Sequence, residues 1–123
     1  MGLDQYGKIR NPQTGEVKEI AYWRKHNALH GWMEALWHVK SRPNADALDP
    51  FSFNCIPLPL TRKDLINLAA DCFLDRLPKT EGFFFGPDSR DRKEYFDAET
   101  RQFVESGLDA IDKGWEVAYD SWW

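Results

Sequence analysis

Residues 20–40, IAYWRKHNALHGWMEALWHVK, decide how this chain of 123 residues folds, because they combine two unlike sets of side chains. At about 100° per residue, a helix over this stretch gathers six apolar residues on one face. These are Ala21, Leu29, Trp32, Met33, Leu36 and Val39. The spacing therefore predicts a helix over 20–40 whose apolar face packs on the protein core.

The opposite face of this predicted helix is polar and aromatic. Its members are Trp23, Asn27, His30, Glu34 and Trp37, with Arg24 and His26 at its margins. Such a mixture is typical of a ligand pocket, and equally of a helix packed on both sides whose polar groups are satisfied internally. Full burial of His30 and Glu34 would favour internal packing, whereas exposure in an aromatic cleft would favour a binding site.

Two kinds of chemistry need only the imidazoles and the carboxylate of this face. His26 and His30 are spaced i, i+4, with Glu34 one turn further, so a metal ion could bridge two of them. The pattern lacks HExxH, and we expect neither a metal ion nor another cofactor. Glu34 could instead orient His30 for acid–base catalysis, which leaves a small enzyme as an alternative, although no nucleophile elbow accompanies the pair.

Recognition without catalysis is the third interpretation of this face. Trp23 and Trp37 could stack on a planar group, while Arg24 could contact an anion. Asn27 and His30 could then orient the bound molecule through hydrogen bonds. This combination would suit a nucleotide or another small anionic or aromatic ligand.

The segments on either side of this stretch predict a small antiparallel sheet. Residues 3–10 alternate weakly, and 16–19 resume an extended pattern after the turn cluster NPQTG, which is typical of a hairpin. Gly114 is a helix-stop residue, and the tail WEVAYDSWW at 115–123 alternates as a strand does. We expect this terminal strand to pair with the hairpin.

Two further helices are predicted from capping and spacing. Thr61 is a typical N-cap with Asp64 three residues later, and the helix that it begins should end at about Leu77. A third helix should run from 89–91 to about 113, with a densely charged surface. Residues 41–60 contain four prolines and predict a long loop.

The segment PKTEGFFFGPD at 78–88 adds a compact aromatic group. An extended conformation suits its three phenylalanines and predicts a short buried strand. The phenylalanines would either plug the core or form a pocket wall with Lys79 and Thr80 at its lip. Lys79 and Thr80 therefore complete the candidate ligand-binding set.

These elements together predict one α+β domain over 1–123. Its architecture should be three helices packed on a small antiparallel sheet, built from the N-terminal hairpin and the C-terminal strand. The sequence pattern does not indicate an oligomeric state.

The composition limits the partners of this domain. Its formal net charge is −4 and its basic residues are scattered among acids, which argues against binding of duplex nucleic acid by counterion release. No apolar run is long enough to cross a membrane, and the opening MGLDQYGKIR does not resemble a cleavable signal. We expect a cytoplasmic protein in which Cys55 and Cys72 are reduced, small hydrophobic side chains.

Four segments, in order along the chain, resemble a known family. They are VKEIAYWRKHNALHGWM at 17–33, LTRKDLINLAADC at 60–72, LPKTEGFFFG at 77–86 and the WEVAYDSWW end. The family consists of small proteins encoded by tailed phages and prophages, whose members typically begin MGLDMYL and carry an AYWRKANAIH-type helix and an LPT..GFFFG segment. This chain differs in its MGLDQYG start, in His26, where the family has a small residue, and in residues 41–60.

The resemblance implies a phage origin and residence in the host cytoplasm, and it names no reaction. We therefore expect a non-enzymatic phage accessory protein that binds a small ligand, such as a nucleotide-type host signal, or a host protein. Counter-defence is one role open to such a protein. A virion or assembly component is a further alternative.

Overall fold

The structure is a computed structural model that describes residues 3–40, 57–74, 76–77 and 93–122. Within these ranges it contains four strands, β1 (Asp4–Arg10), β2 (Val17–Arg24), β3 (Leu58–Leu60) and β4 (Glu116–Trp122). It also contains three helices, α1 (Asn27–Lys40), α2 (Arg62–Phe73) and α3 (Lys93–Asp112). The strands form one antiparallel sheet in the order β2-β1-β4-β3, which confirms the predicted α+β fold.

The N-terminal hairpin and the C-terminal strand pair as the sequence predicts. β1 and β2 run from the pair Asp4↔Arg24 to the pair Arg10↔Val17, with a register shift after Gly7. Gly15 closes the turn in the left-handed region, at a φ of 79°, which glycine adopts without steric cost. β4 lies on the other side of β1 along its full length, so β1 is a central strand.

The prediction of a helix over 20–40 is wrong at its N-terminal end. β2 continues to Arg24, Lys25 turns the chain at a φ of 58°, and α1 begins only at Asn27. The apolar positions Ala21 and Trp23 are two residues apart, so they also fit the inward face of a strand. The backbone of β1 pairs with β2 as far as Arg24, and this long-range pairing selects the two-residue period of a strand over the 3.6-residue period of a helix.

The prediction of a loop over 41–60 is wrong at its end, where β3 adds a fourth strand. Leu58 and Leu60 point into the core, and Pro59 between them is exposed. Proline is tolerated here because β3 is an edge strand, whose outer N–H needs no partner strand. The remaining part of that predicted loop, 41–56, lies outside the described residues, as does Cys55.

One face of the sheet is buried under the helices. α3 lies across β2, β1 and β4, and α2 packs on α3. The ring of Phe103 on α3 meets the Trp23 indole edge-on, with centroids 5.3 Å apart. Phe103 approaches the sheet closely because Gly7 lies beneath its ring and has no side chain.

α2 and α3 are antiparallel. The predicted capping box at Thr61 and Asp64 is present, but α2 ends at Phe73, before the predicted Leu77. Arg62 at the start of α2 pairs with Asp112 at the end of α3. At the opposite end, the Cys72 thiol of α2 donates to Asp97 Oδ1 of α3 at 3.3 Å.

Side chains cover one point on each edge of the sheet. At the β2 edge, the Tyr22 N–H donates to Glu99 Oε1 at 3.0 Å, and the Tyr95 hydroxyl donates to the Tyr22 carbonyl at 3.4 Å. At the β3 edge, Pro59 has no N–H, and its carbonyl accepts from Lys40 Nζ at 2.6 Å. Edge strands that are blocked in this way are poor templates for another strand.

A substitution at Gly7 tests this packing. A Cβ there would lie 2.4 Å from Cδ1 and 2.5 Å from Cε1 of Phe103. We expect Gly7→Ala to lower the free energy of unfolding by about 2 kcal/mol, because overpacking a core costs about 1–3 kcal/mol. Urea denaturation measures the change. The same substitution in a Phe103→Leu background should cost less, and equal costs in the two backgrounds would contradict the proposed clash.

Candidate functional site

The predicted site residues on β2 point in opposite directions. Trp23 is fully buried on the inner face of the sheet, and its Nε1–H donates to Thr100 Oγ1 at 3.2 Å. Arg24 is exposed on the outer face, where it lies 3.5 Å from Asp4 Oδ1. Successive strand residues always alternate between faces, so Trp23 and Arg24 cannot line one wall of a pocket.

The predicted site residues on α1 are mostly buried. Asn27 and His30 are 0% exposed and Trp37 is 8% exposed. Glu34 is half-buried, and its carboxylate lies 3.7 Å from His38 Nε2 one turn further along the helix. The structure therefore brings Asn27 and His30 into the protein interior.

The buried side of α1 includes only part of the predicted apolar stripe, since Leu29 and Met33 are fully buried whereas Trp32 and Leu36 are half-buried. The buried residues are Asn27, Leu29, His30, Met33 and Trp37. Val39, which the stripe included, is 59% exposed. The helix is thus rotated toward its polar face, because the sheet supplies hydrogen-bonding partners for that face.

Gln5 on β1 is the first of these partners. Its Oε1 accepts from the His26 N–H at 2.8 Å, and its Nε2 donates to the His26 carbonyl at 2.9 Å. A backbone N–H can only donate and a carbonyl can only accept, so the orientation of the Gln5 amide is determined without ambiguity. Gln5 thereby holds the residue that precedes α1.

Tyr119 on β4 is the second partner. Its hydroxyl oxygen accepts from Gln5 Nε2 at 3.1 Å and lies 2.9 Å from His30 Nδ1. The tautomer of His30 decides whether Nδ1 or the Tyr119 hydroxyl donates in this contact. We call Gln5, His26, Asn27, His30, Tyr119 and Ser121 the polar core, since all six side chains are buried.

Burial determines the electrostatics of the polar core. It lowers the pKa of His30 to about 4 and raises the pKa of the Tyr119 hydroxyl, because in each case it disfavours the charged form. Both groups are therefore neutral at physiological pH. Because the His30 imidazole is buried and has so low a pKa, it is poorly suited to proton transfer near neutral pH.

His26 also has a packing role. Its ring stacks on Phe96 of α3, with centroids 4.1 Å apart and an interplanar angle of 4°. This stacking ties the start of α1 to α3.

Sequence reasoning missed Gln5 and the role of Tyr119. A signal for Tyr119 was present, because the alternation of the terminal strand puts Tyr119 and Ser121 on the same side as Val117. Polar residues at inward strand positions require partners inside the protein. Lys79 and Thr80, the remaining members of the predicted ligand-binding set, lie outside the described residues, as does the strand predicted at 78–88.

Among the described residues, no three His, Cys, Asp or Glu side chains are grouped so that they could hold a metal ion. No helix in the described ranges combines the length and the apolar character needed to cross a membrane. The chain matches no protein-family model, no curated protein and no solved structure. The function of this chain must therefore be inferred from its sequence and from the geometry of its described residues.

Removing the Tyr119 hydroxyl tests the polar core. We expect Tyr119→Phe to lower the free energy of unfolding by about 1–3 kcal/mol, because it leaves buried groups without a hydrogen-bonding partner. Tyr22→Phe is the matched control, since the Tyr22 hydroxyl bonds to Asp4 at 2.7 Å on the outer face of the sheet. Chemical denaturation should show a clearly smaller loss for that control, and equal losses would contradict a structural role for the core.

The pH dependence of stability tests the neutral state of His30. Its pKa is about 4 in the folded protein, against about 6.5 when unfolded, so only the unfolded chain gains the proton between these values. The contribution of His30 is complete above pH 6.5 and is lost as the pH falls toward 4, by about 3 kcal/mol.

Denaturation of wild type and His30→Asn across this range measures that loss. Asparagine keeps a hydrogen-bonding group near the position of Nδ1 and cannot titrate, so the variant should show a shallower decline than wild type. His38→Asn, a change at a half-exposed histidine of the same helix, should leave the slope nearly unchanged. Parallel curves for wild type and His30→Asn would contradict the assignment.

Proposed function

We propose that this protein is a non-enzymatic phage accessory protein that acts in the host cytoplasm by binding a host protein. The observation that carries the proposal is the complete burial of Gln5, Asn27, His30 and Tyr119. Gln5, His30 and Tyr119 bond to one another and to the backbone of His26, and a substrate could reach these buried side chains only if the core opened.

The acid–base alternative has little support from this geometry. Tyr119 lies at hydrogen-bonding distance from Nδ1 of His30, and Glu34 lies close to His38 instead. The low pKa of His30 further reduces its value as a base near neutral pH.

Exposed apolar side chains support a role in protein binding. Phe73 is 83% exposed, Trp122 is 67% exposed, and Leu74 lies beside Phe73 with more than half of its surface in solvent. Large apolar groups that cluster at a surface are typical of protein interfaces. The phage origin and the host location rest on the resemblance of the four segments quoted from the sequence.

Affinity capture with the full chain as bait, from a lysate of bacterial host cells, tests this proposal. We expect a host protein that is retained by the chain and not by an inert bait of equal charge. It should re-form a complex from purified components with a Kd of about 1 μM or tighter. If no retained protein re-forms a complex, the proposed function is wrong.

Calorimetry against nucleotides and cyclic nucleotides tests the competing small-ligand function. Since Trp23, Asn27 and His30 are buried, we expect no heat beyond dilution. Saturable heat that disappears in an Arg24→Ala variant would favour the ligand function over the protein-binding one. Mass spectrometry of purified phage particles separates both from a virion component, which alone would be present in them.

A further inference from the structure

A groove between α2 and α3 is a surface suited to a partner. α2 and α3 pack closely where Gly107 faces Leu65, since a Cβ on Gly107 would lie 2.9 Å from Leu65 Cδ1. Toward the C-terminal end of α2 the helices leave a groove of about 500 Å³. Ala69 and Ala70, which line it, are too small to fill the space.

The floor of the groove is apolar and its far end is aromatic. Val104 and Cys72 form the floor, and the Cys72 thiol donates to Asp97 Oδ1 at 3.3 Å across the groove. Phe73 stands at the end with 83% of its surface in solvent. A side chain of this size gains most from a partner that covers it.

Alternating charges line the α3 side of the groove. Asp97, Arg101 and Glu105 follow one another at intervals of four residues, so they lie about 6 Å apart along one side of the helix. Neither Arg101 nor Glu105 forms an ion pair within the described part of the chain. Their charges are available to a molecule that lies alongside α3.

We propose that this groove docks an amphipathic helix of the partner protein whose flanking residues, four apart, are basic, acidic and basic. Its apolar stripe would cover Phe73 and the alanines, as in other complexes that place a helix in a groove. Its flanking charges would complement Asp97, Arg101 and Glu105, as charges beside a coiled-coil interface do. This inference rests on the proposed function and names the surface and the partner chemistry that serve it.

Two labelled helical peptides with the same leucine stripe test the proposal. One carries Lys, Glu and Lys at the flanking positions, and the other carries Glu, Lys and Glu. We expect the first to bind the full-length protein about tenfold more tightly in fluorescence anisotropy at low salt, and the difference to shrink at high salt. The double variant Arg101→Glu, Glu105→Arg should prefer the second peptide.

A matched pair of substitutions on α2 tests the apolar part of the groove. Phe73→Ser should weaken the first peptide about tenfold, whereas Ile66→Ser should change its affinity less than about twofold. Ile66 is an exposed apolar residue of the same helix that does not line the groove. Because both side chains are exposed, circular dichroism should show both variants folded.

Three results would overturn the groove assignment. They are no binding of either peptide, equal binding of both peptides by every charge variant, or equal effects of Phe73→Ser and Ile66→Ser. If a captured host protein binds the Phe73 and charge variants as tightly as wild type, the groove assignment fails and the proposed function stands. If the peptides bind as expected and no host protein forms a complex, the proposed function fails and the groove assignment stands.

Discussion

The two hydrogen bonds between the Gln5 amide and the backbone of His26 are the constraint on which the rest of the structure depends. They hold the point at which β2 leaves the sheet and α1 begins. Lys25, just before that point, adopts a left-handed conformation that costs a residue with a side chain about 1–2 kcal/mol. Its N–H donates to the carbonyl of Leu3, the residue before β1, so Leu3 and Gln5 both support this turn.

The placement of α1 follows from this constraint. With His26 held against Gln5, His30 comes one turn later to the Tyr119 hydroxyl, and the polar side of the helix faces the sheet. A buried network of neutral groups is favourable only when its members are satisfied, and it then permits a single arrangement of the elements around it. Gln5, His30 and Tyr119 thereby join β1, α1 and β4 through hydrogen bonds.

Local signals in the sequence predicted the parts of the fold that depend on neighbours along the chain. The capping box of Thr61 and Asp64 and the alternation of β4 are of this kind. The β2–α1 boundary is not, because Ala21 and Trp23 satisfy both periods and only pairing with β1 decides between them. Candidate site residues were found by type, but their roles depend on Gln5, 21 residues before His26, and on Tyr119, 89 residues after His30. A local sequence pattern cannot predict contacts between residues that lie so far apart in the chain.

The contacts at the edges of the sheet limit where another strand could pair with this protein. Tyr22 is engaged by Glu99 and Tyr95 on one edge, and Pro59 is covered by Lys40 on the other. Recognition by addition of a partner strand to a sheet edge discriminates poorly between partner sequences, because every chain carries the same backbone peptide groups. At Tyr22 and Pro59, association must instead be read through side chains, and a partner can then be discriminated by the order of its residues. The same contacts hinder strand-by-strand addition of copies of this chain at these two points.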